Sequence, residues 1–171
     1  MDQIRAKIRD IPNFPKKGII FKDITPVLED PKLFHRVIDI FSEKYAGEKI
    51  DKVVGIESRG FILGAPLAYQ LNAGFVVVRK TGKLPYKTIK KSFDLEYGTD
   101  ILEIHDDAIE PGQRVLIVDD LLATGGTAEA TAHLIQELQG KVAGIAFLIE
   151  LVSLKGREKL KKQDVFSLIQ Y

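Results

Sequence analysis

Asp119 and Asp120 are adjacent carboxylates that follow four apolar residues, Val115-Leu-Ile-Val118, and precede a short loop, Ala123-Thr-Gly-Gly-Thr127. Two carboxylates side by side at the end of an apolar run are poor for stability, but they suit vicinal hydroxyls or a hydrated Mg²⁺ ion. The loop beyond them suits a different ligand. Glycines let a chain approach closely, backbone N–H groups at a helix start attract phosphate, and Thr124 and Thr127 add hydroxyl donors. The elements that must position these residues are legible too. The apolar, mostly β-branched run reads as a strand buried on both faces, as in a parallel sheet. The Ala/Leu/Ile pattern beyond the loop reads as a helix over roughly 126–138. Strand, acidic pair, Gly/Thr loop and helix make a phosphate cradle with diol or metal ligands beside it. The plainer alternative is a Gly-Gly-Thr loop that merely caps a helix, and the acidic pair directly after the strand weighs against it.

The remaining elements support that placement. With 171 residues the chain is expected to form one domain, large enough to bury a core without staples. A net charge of +1 argues against a general nucleic-acid or membrane-surface binder. No apolar run approaches the roughly 20 residues that span a bilayer, and residues 1–9 lack the apolar core of a signal peptide. The chain has no cysteine, which removes disulfides, thiol nucleophiles and zinc–thiolate sites and leaves a cytoplasmic location as the default. Ile4 and Ile8 at helical spacing predict a short helix over 2–9. Pro12, Pro15, Gly18 and Pro26 make 11–28 loop-rich with short extended pieces. Asp30-Pro31 opens an amphipathic helix. Strands are expected at 52–56, 75–78, 141–150 and 165–169, a helix at 61–70, and a hairpin over 92–104 turning at Gly98. Strands alternating with helices argue an α/β fold with a doubly wound, mainly parallel sheet, whose ligands bind outside the carboxyl ends of the strands.

Other polar groups are ambiguous when taken alone. Glu57-Ser-Arg-Gly60 lies between a strand and a helix, where Ser58 is a natural cap. Arg79, Lys80 and Lys83 read first as a solvated charged face. Gly82-Lys83 is not a P-loop, because Val77 stands at the required first glycine and Leu84 at the Ser/Thr position. His35, His105 and His133 have no metal-like spacing and are taken as structural or exposed.

The 115–127 element closely resembles the phosphoribosyl-pyrophosphate signature of the type I phosphoribosyltransferases. Four further segments resemble the adenine-specific branch of that family: 12–27 (Pro-Asn-Phe-Pro-Lys-Lys-Gly-Ile-Ile-Phe-Lys-Asp-Ile-Thr-Pro-Val), Gly55-Ile-Glu-Ser-Arg-Gly-Phe61, Arg79-Lys-Thr-Gly-Lys-Leu-Pro85 and Leu95-Glu-Tyr-Gly98. So does the tail, Glu150-Leu-Val-Ser-Leu-Lys-Gly-Arg-Glu-Lys159. The resemblance covers essentially the whole chain. It implies a Mg²⁺-dependent enzyme that joins adenine to 5-phosphoribosyl 1-pyrophosphate, giving AMP and diphosphate in purine salvage.

It also implies roles. Asp119 and Asp120 lie by the ribose hydroxyls, and Ala123, Thr124, Gly125, Gly126 and Thr127 bind the 5-phosphate. Glu57, Ser58 and Arg59, in a loop with a non-proline cis peptide at Glu57–Ser58, serve the diphosphate together with Arg79, Lys80 and Lys83. Ile20 and Lys22 read adenine through their main chains, Phe21 stacks on it, and Glu96 acts as acid or base near N7. Mg²⁺ is carried by substrate and water near Asp119 and Asp120 rather than by direct side-chain ligation. Residues 1–30 form an N-terminal helix and a cap, or hood, over the base. Residues 31–171 form the core, with 81–104 as a mobile hairpin lid. A homodimer is implied, with one of the basic residues reaching the neighbouring site. The family often has Asp for Glu57 and Arg for Lys22. Two alternatives stay open: the same fold acting on hypoxanthine or xanthine, and a non-catalytic sensor that binds nucleic acid.

Overall fold

The computed structural model describes residues 1–95 and 98–171. The chain begins with α1 (Asp2–Lys7), β1 (Arg9–Pro12), β2 (Ile20–Asp23) and α2 (Thr25–Glu29), with β1 and β2 paired antiparallel. Ile4 and Ile8 are both buried, as their helical spacing requires. The helix nevertheless ends at Lys7, because Ile8 takes an extended conformation to feed β1. The loop-rich reading of 11–28 holds for β1 and β2 but misses α2. There Pro26 lies in the first turn, where its absent N–H has no partner to lose. α3 (Pro31–Tyr45) starts at Asp30, whose carboxylate accepts the N–H groups of Lys32 and Leu33. Its apolar face buries Val37, Ile38, Phe41 and Tyr45.

The core follows as β3 (Lys52–Ile56), α4 (Arg59–Gln70), β4 (Gly74–Lys80), β5 (Thr88–Leu95), β6 (Gly98–His105), β7 (Arg114–Leu122), α5 (Gly126–Glu137), β8 (Lys141–Glu150) and β9 (Val165–Gln170). Two 3₁₀ turns, Val152–Leu154 and Gly156–Leu160, connect β8 to β9. The main sheet has the order β5-β6-β4-β3-β7-β8-β9. Five strands are parallel, and the β5–β6 hairpin adds antiparallel along β4. Alternation sorts the side chains of each parallel strand into two layers. Val53, Leu116, Val118, Ala146 and Leu148 pack with α3 and α4 on one face. Val54, Val115, Ile117, Ile145 and Phe147 pack with α5 on the other.

The sheet order creates one special position. From β3 the chain crosses by α4 to β4 on one side, and from β7 it crosses by α5 to β8 on the other. Between the carboxyl ends of β3 and β7 the two connections diverge, which opens a crevice in sheets of this kind. The acidic pair sits there in a way the sequence leaves hidden. β7 continues through Asp119 and Asp120 to Leu122, paired with β8, whereas its pairing with β3 stops at Val118. The carboxylates thus lie within the strand, on a stretch that has lost one neighbour. The hairpin also begins earlier than the reading of 92–104 allows, at Thr88.

Candidate active site

α3 has a side-chain cap; among the described residues, no side chain caps α4 or α5. Ser58 and Gly125 hold the capping positions of these two helices. The Phe61 N–H in the first turn of α4 donates to the Ser58 carbonyl at 3.2 Å, and the other first-turn N–H groups of the two helices have no side-chain acceptor among the described residues. The Glu57–Ser58 peptide is cis, as the resemblance implies. Gly125 has φ of 82°, a left-handed conformation that glycine adopts without penalty. A Cβ there would run into the carbonyl oxygen of Gly156 in the second 3₁₀ turn.

Both helix starts open on the crevice between β3 and β7. A cleft of about 460 Å³ is lined by Glu57, Ser58, Arg59, Lys80, Asp119, Asp120, Ala123 and Thr127. A smaller cavity of about 70 Å³ adjoins it, lined by Thr124, Gly125, Thr127 and Asp119 among others. Gly126 is the first residue of α5. Residues drawn from three separate segments of sequence thus share one site.

The charges within it are strongly paired. Arg59 Nε donates to Asp120 Oδ2 at 2.5 Å, and its guanidinium carbon lies 5.3 Å from the centre of the Phe21 ring. The Asp120 N–H donates to Asp119 Oδ1 at 2.9 Å. Asp119 is half-buried where it borders the cleft and the smaller cavity. That burial, and then the adjacent charge of Asp120, pushes it well above the usual carboxylate range.

Glu57 collects the basic residues. It accepts from Lys83 Nζ, from the Lys80 N–H at 3.0 Å and from Arg79 Nε and Nη2 at 3.4 Å. Burial works to raise its pKa, but the hydrogen bonds from Lys83, the Lys80 N–H and Arg79 outweigh that and hold it down at about 2. Lys80 Nζ pairs with Asp100 at 2.8 Å and lines the cleft, whereas Arg79 and Lys83 are gathered on Glu57. Phe21 reaches the site through Arg59. The side chains of Ile20 and Lys22 instead face a groove shared with Lys16, Leu151 and Tyr171. Glu96 lies outside the described residues.

Several participants escaped the sequence reading. Ile56, Phe93, Asp100, Leu102 and Leu121 also line the cleft. Leu121 packs against the cluster of Leu116 and Val118 while also bordering the cleft, a placement that simple alternation along β7 does not give. Glu103 is 2% exposed in the middle of β6, and it accepts the N–H groups of Lys83 and Leu84, both at 3.1 Å, which fixes the turn after β4. Burial alone would raise its pKa, but those N–H groups and Lys90 hold it low. Among the described residues, no group of three or more His, Asp or Glu side chains is placed to hold a metal ion. No described helix is long and apolar enough to cross a membrane.

Residues 24–170 match the family model of the phosphoribosyl transferase domain. The chain is 59% identical over 171 residues to an adenine phosphoribosyltransferase of Syntrophotalea carbinolica, with all of both chains covered. It belongs to the adenine phosphoribosyltransferase family. The same fold is seen in the crystal structure of the family member from Thermoanaerobacter pseudethanolicus, with a TM-score of 0.97, 56% identity and 99% of each chain covered. It is seen again in the member from Saccharomyces cerevisiae, solved in complex with an imino-altritol bisphosphate and adenine. There the TM-score is 0.93 with 44% identity, covering 98% of this chain and 97% of the other. The family's α/β architecture, with hood and hairpin, is therefore that of this chain.

Proposed function

We propose that this chain transfers the 5-phosphoribosyl group of 5-phospho-α-D-ribose 1-diphosphate to N9 of adenine, releasing AMP and diphosphate in purine salvage. One observation carries the reading: two helix N-termini without side-chain caps open on one cleft, with the acidic pair between them. A ligand with a phosphate at each end and a diol in the middle matches that order. Ala123 to Thr127 take the 5-phosphate, Asp119 and Asp120 the ribose hydroxyls, and Ser58, Arg59 and Lys80 the diphosphate. Arg79 and Lys83 bring further positive charge, and Glu57 organises both. Phe21 stacks on the purine. A carbonyl at Ile20 and an N–H at Lys22 read its amino edge, which leaves an oxo-purine with an unpaired group.

In the reaction the bond from the anomeric carbon to the diphosphate oxygen breaks and the bond to N9 forms. Arg59 leaves Asp120 for the diphosphate, so the leaving group gains a cation as Asp120 is freed for the ribose. Glu96 accepts or returns the purine proton. The hairpin lid over 81–104 excludes water from a cation-like ribosyl carbon. Asp119, with its carboxyl group pushed towards the neutral form, and Asp120, already paired, suit outer-sphere contact with a hydrated ion better than direct ligation. Asp119 and Asp120 are the residues that would hold a hydrated Mg²⁺, which when bound would supply charge neutralisation for the leaving group.

We take residues 1–171 as one catalytic domain, the cap being 1–30 and the core 31–171. We also take the working form to be a homodimer in the cytoplasm. Exposed Ile62 and Tyr69, one above the other on α4, and nearby Phe75 support the dimer. The charged substrate, which does not cross a bilayer unaided, supports the location. The near-neutral charge supports partners without nucleic acid or membrane.

The test is AMP formation from adenine, 5-phosphoribosyl 1-pyrophosphate and Mg²⁺, with hypoxanthine, guanine and xanthine as competing bases. Turnover with adenine alone is expected, together with a fall of about a hundredfold or more in kcat for Glu96→Ala. Binding of the sugar diphosphate without turnover of any base would overturn the assignment.

A further inference from the structure

Lys22 ties the cap to the far end of the chain. Its Nζ lies 3.8 Å from the centre of the Tyr171 ring and donates to both carboxylate oxygens of Asp10, at 2.7 and 2.9 Å. The lysine side chain is only 13% exposed as a result. Arg5 of α1 approaches the same ring, with its guanidinium carbon 4.9 Å from the centre, and Nη1 donates to the Gln170 carbonyl at 3.0 Å. Two cations of the cap thus rest on one aromatic ring of the core.

The ring is a firm support. The Tyr171 N–H donates to the Glu150 carbonyl, and its own carbonyl accepts from the Val152 N–H, both at 2.9 Å. The Glu150 side chain, 4% exposed, is in turn held by Arg157 Nε at 2.7 and 2.9 Å, by Ser167 Oγ at 2.5 Å and by Gln170 Nε2 at 3.2 Å. Arg157 also donates to the Val165 carbonyl at 2.7 Å. The tail segment therefore fixes Tyr171 from both sides.

Successive residues of a strand point to opposite faces. Along β2, Phe21 sends its ring to Arg59 and the cleft, and Lys22 sends its ammonium group to Tyr171. Whatever Lys22 does for a ligand in the cleft, its side chain does through the backbone. We infer that Tyr171 is a positioning residue for the base. By holding Lys22 and Arg5 it sets how β2 lies over the cleft, and so where the Ile20 carbonyl and the Lys22 N–H stand. The inference rests on the reading of β2 as the adenine-binding strand. It also gives the Lys22 cation work that needs no contact with the purine. Attraction of a cation to an aromatic face needs the ring and not the hydroxyl.

The experiment compares steady-state kinetics of the full-length protein with those of Tyr171→Phe, Tyr171→Leu and Lys22→Met. Tyr171→Leu is expected to raise the KM for adenine roughly three- to tenfold, with the KM for the sugar diphosphate and kcat little changed. Tyr171→Phe should behave as wild type. Lys22→Met should likewise raise the KM for adenine, and the double variant should show less than the product of the two single effects, because the Lys22–Tyr171 contact is lost in both while the Arg5 and Asp10 contacts are lost in one each. Wild-type AMP formation with an unchanged adenine KM in Tyr171→Leu overturns the positioning role. So does a parallel rise in both KM values, which marks general loosening, or a Tyr171→Phe variant as impaired as the leucine one. A wild-type chain that makes no AMP overturns the functional reading itself, and this inference with it.

Discussion

Glu57 shows how much one side chain's neighbours decide. It follows a buried strand, and its type alone says only that an acid stands beside a candidate anion site. In the structure it draws Lys83, Arg79 and the Lys80 N–H together, and its pKa falls to about 2 against an ordinary 4.5. A carboxylate with a depressed folded pKa contributes stability above its unfolded value and loses it as pH falls through the folded value. The gap in unfolding free energy between wild type and Glu57→Gln is therefore expected to be flat above about pH 5 and to shrink as pH drops from about 4.5 towards 2. Denaturant melts at a series of pH values would show it, and a pH-independent gap would contradict the depressed pKa. Asp120 makes the same point: its type was readable, its pairing with Arg59, distant in sequence, was not.

At the scale of elements, the helix starts matter most. α3 satisfies its first N–H groups with Asp30. α4 and α5 begin on Ser58 and Gly125, with no described side chain capping either. The α5 start is held in shape by the tail. Gly125 takes a left-handed conformation and presses on Gly156, which itself lies against the Ala123 carbonyl. Gly125→Ala combines a backbone penalty of roughly 1–2 kcal/mol with a clash against main chain. It should lower the melting temperature by several degrees, and calorimetry would measure that. On the proposed function, in which this loop holds the 5-phosphate, it should raise the KM for the sugar diphosphate more than that for adenine. Gly82→Ala supplies the control, since it shares a positive φ but meets nothing within 4 Å.

For the molecule as a whole, the order of strands is decisive. The divergence of the chain at β3 and β7 leaves a crevice, and the Gly55–Phe61 segment and the 115–127 signature both end there. Phe21 of the N-terminal segment lies 5.3 Å from the Arg59 guanidinium on one side of that crevice, and Phe93, Asp100 and Leu102 of the hairpin line it from another. The proposed dimer belongs to this scale as well. Tyr69 is 88% exposed on the outer face of α4, with Ile62 one heptad before it. Tyr69→Glu together with Ile62→Glu should convert the dimer to a monomer in sedimentation analysis. If a basic residue does serve the neighbouring site, activity should fall with it. A double variant that remains dimeric would place the interface elsewhere.

The sequence by itself determined the local elements and the residue types that meet at the cleft. The apolar run 115–118, the helix start at Asp30 and Pro31, and the Gly/Thr loop all act over a few residues. Their reading therefore survives without knowledge of the fold. Lys52–Ile56 and Lys141–Glu150 were readable to the residue for that reason. Boundaries set by pairing were not, as in the extension of β7 past its acidic pair and of β5 back to Thr88. Only the tertiary structure decided which charges meet. Arg59 with Asp120, Glu57 with Lys83, Glu103 with the turn after β4, and Lys22 with Tyr171 are contacts across long sequence separations. Electrostatic and hydrogen-bond energies depend on distance in space, and chain folding sets that distance where residue type and spacing do not.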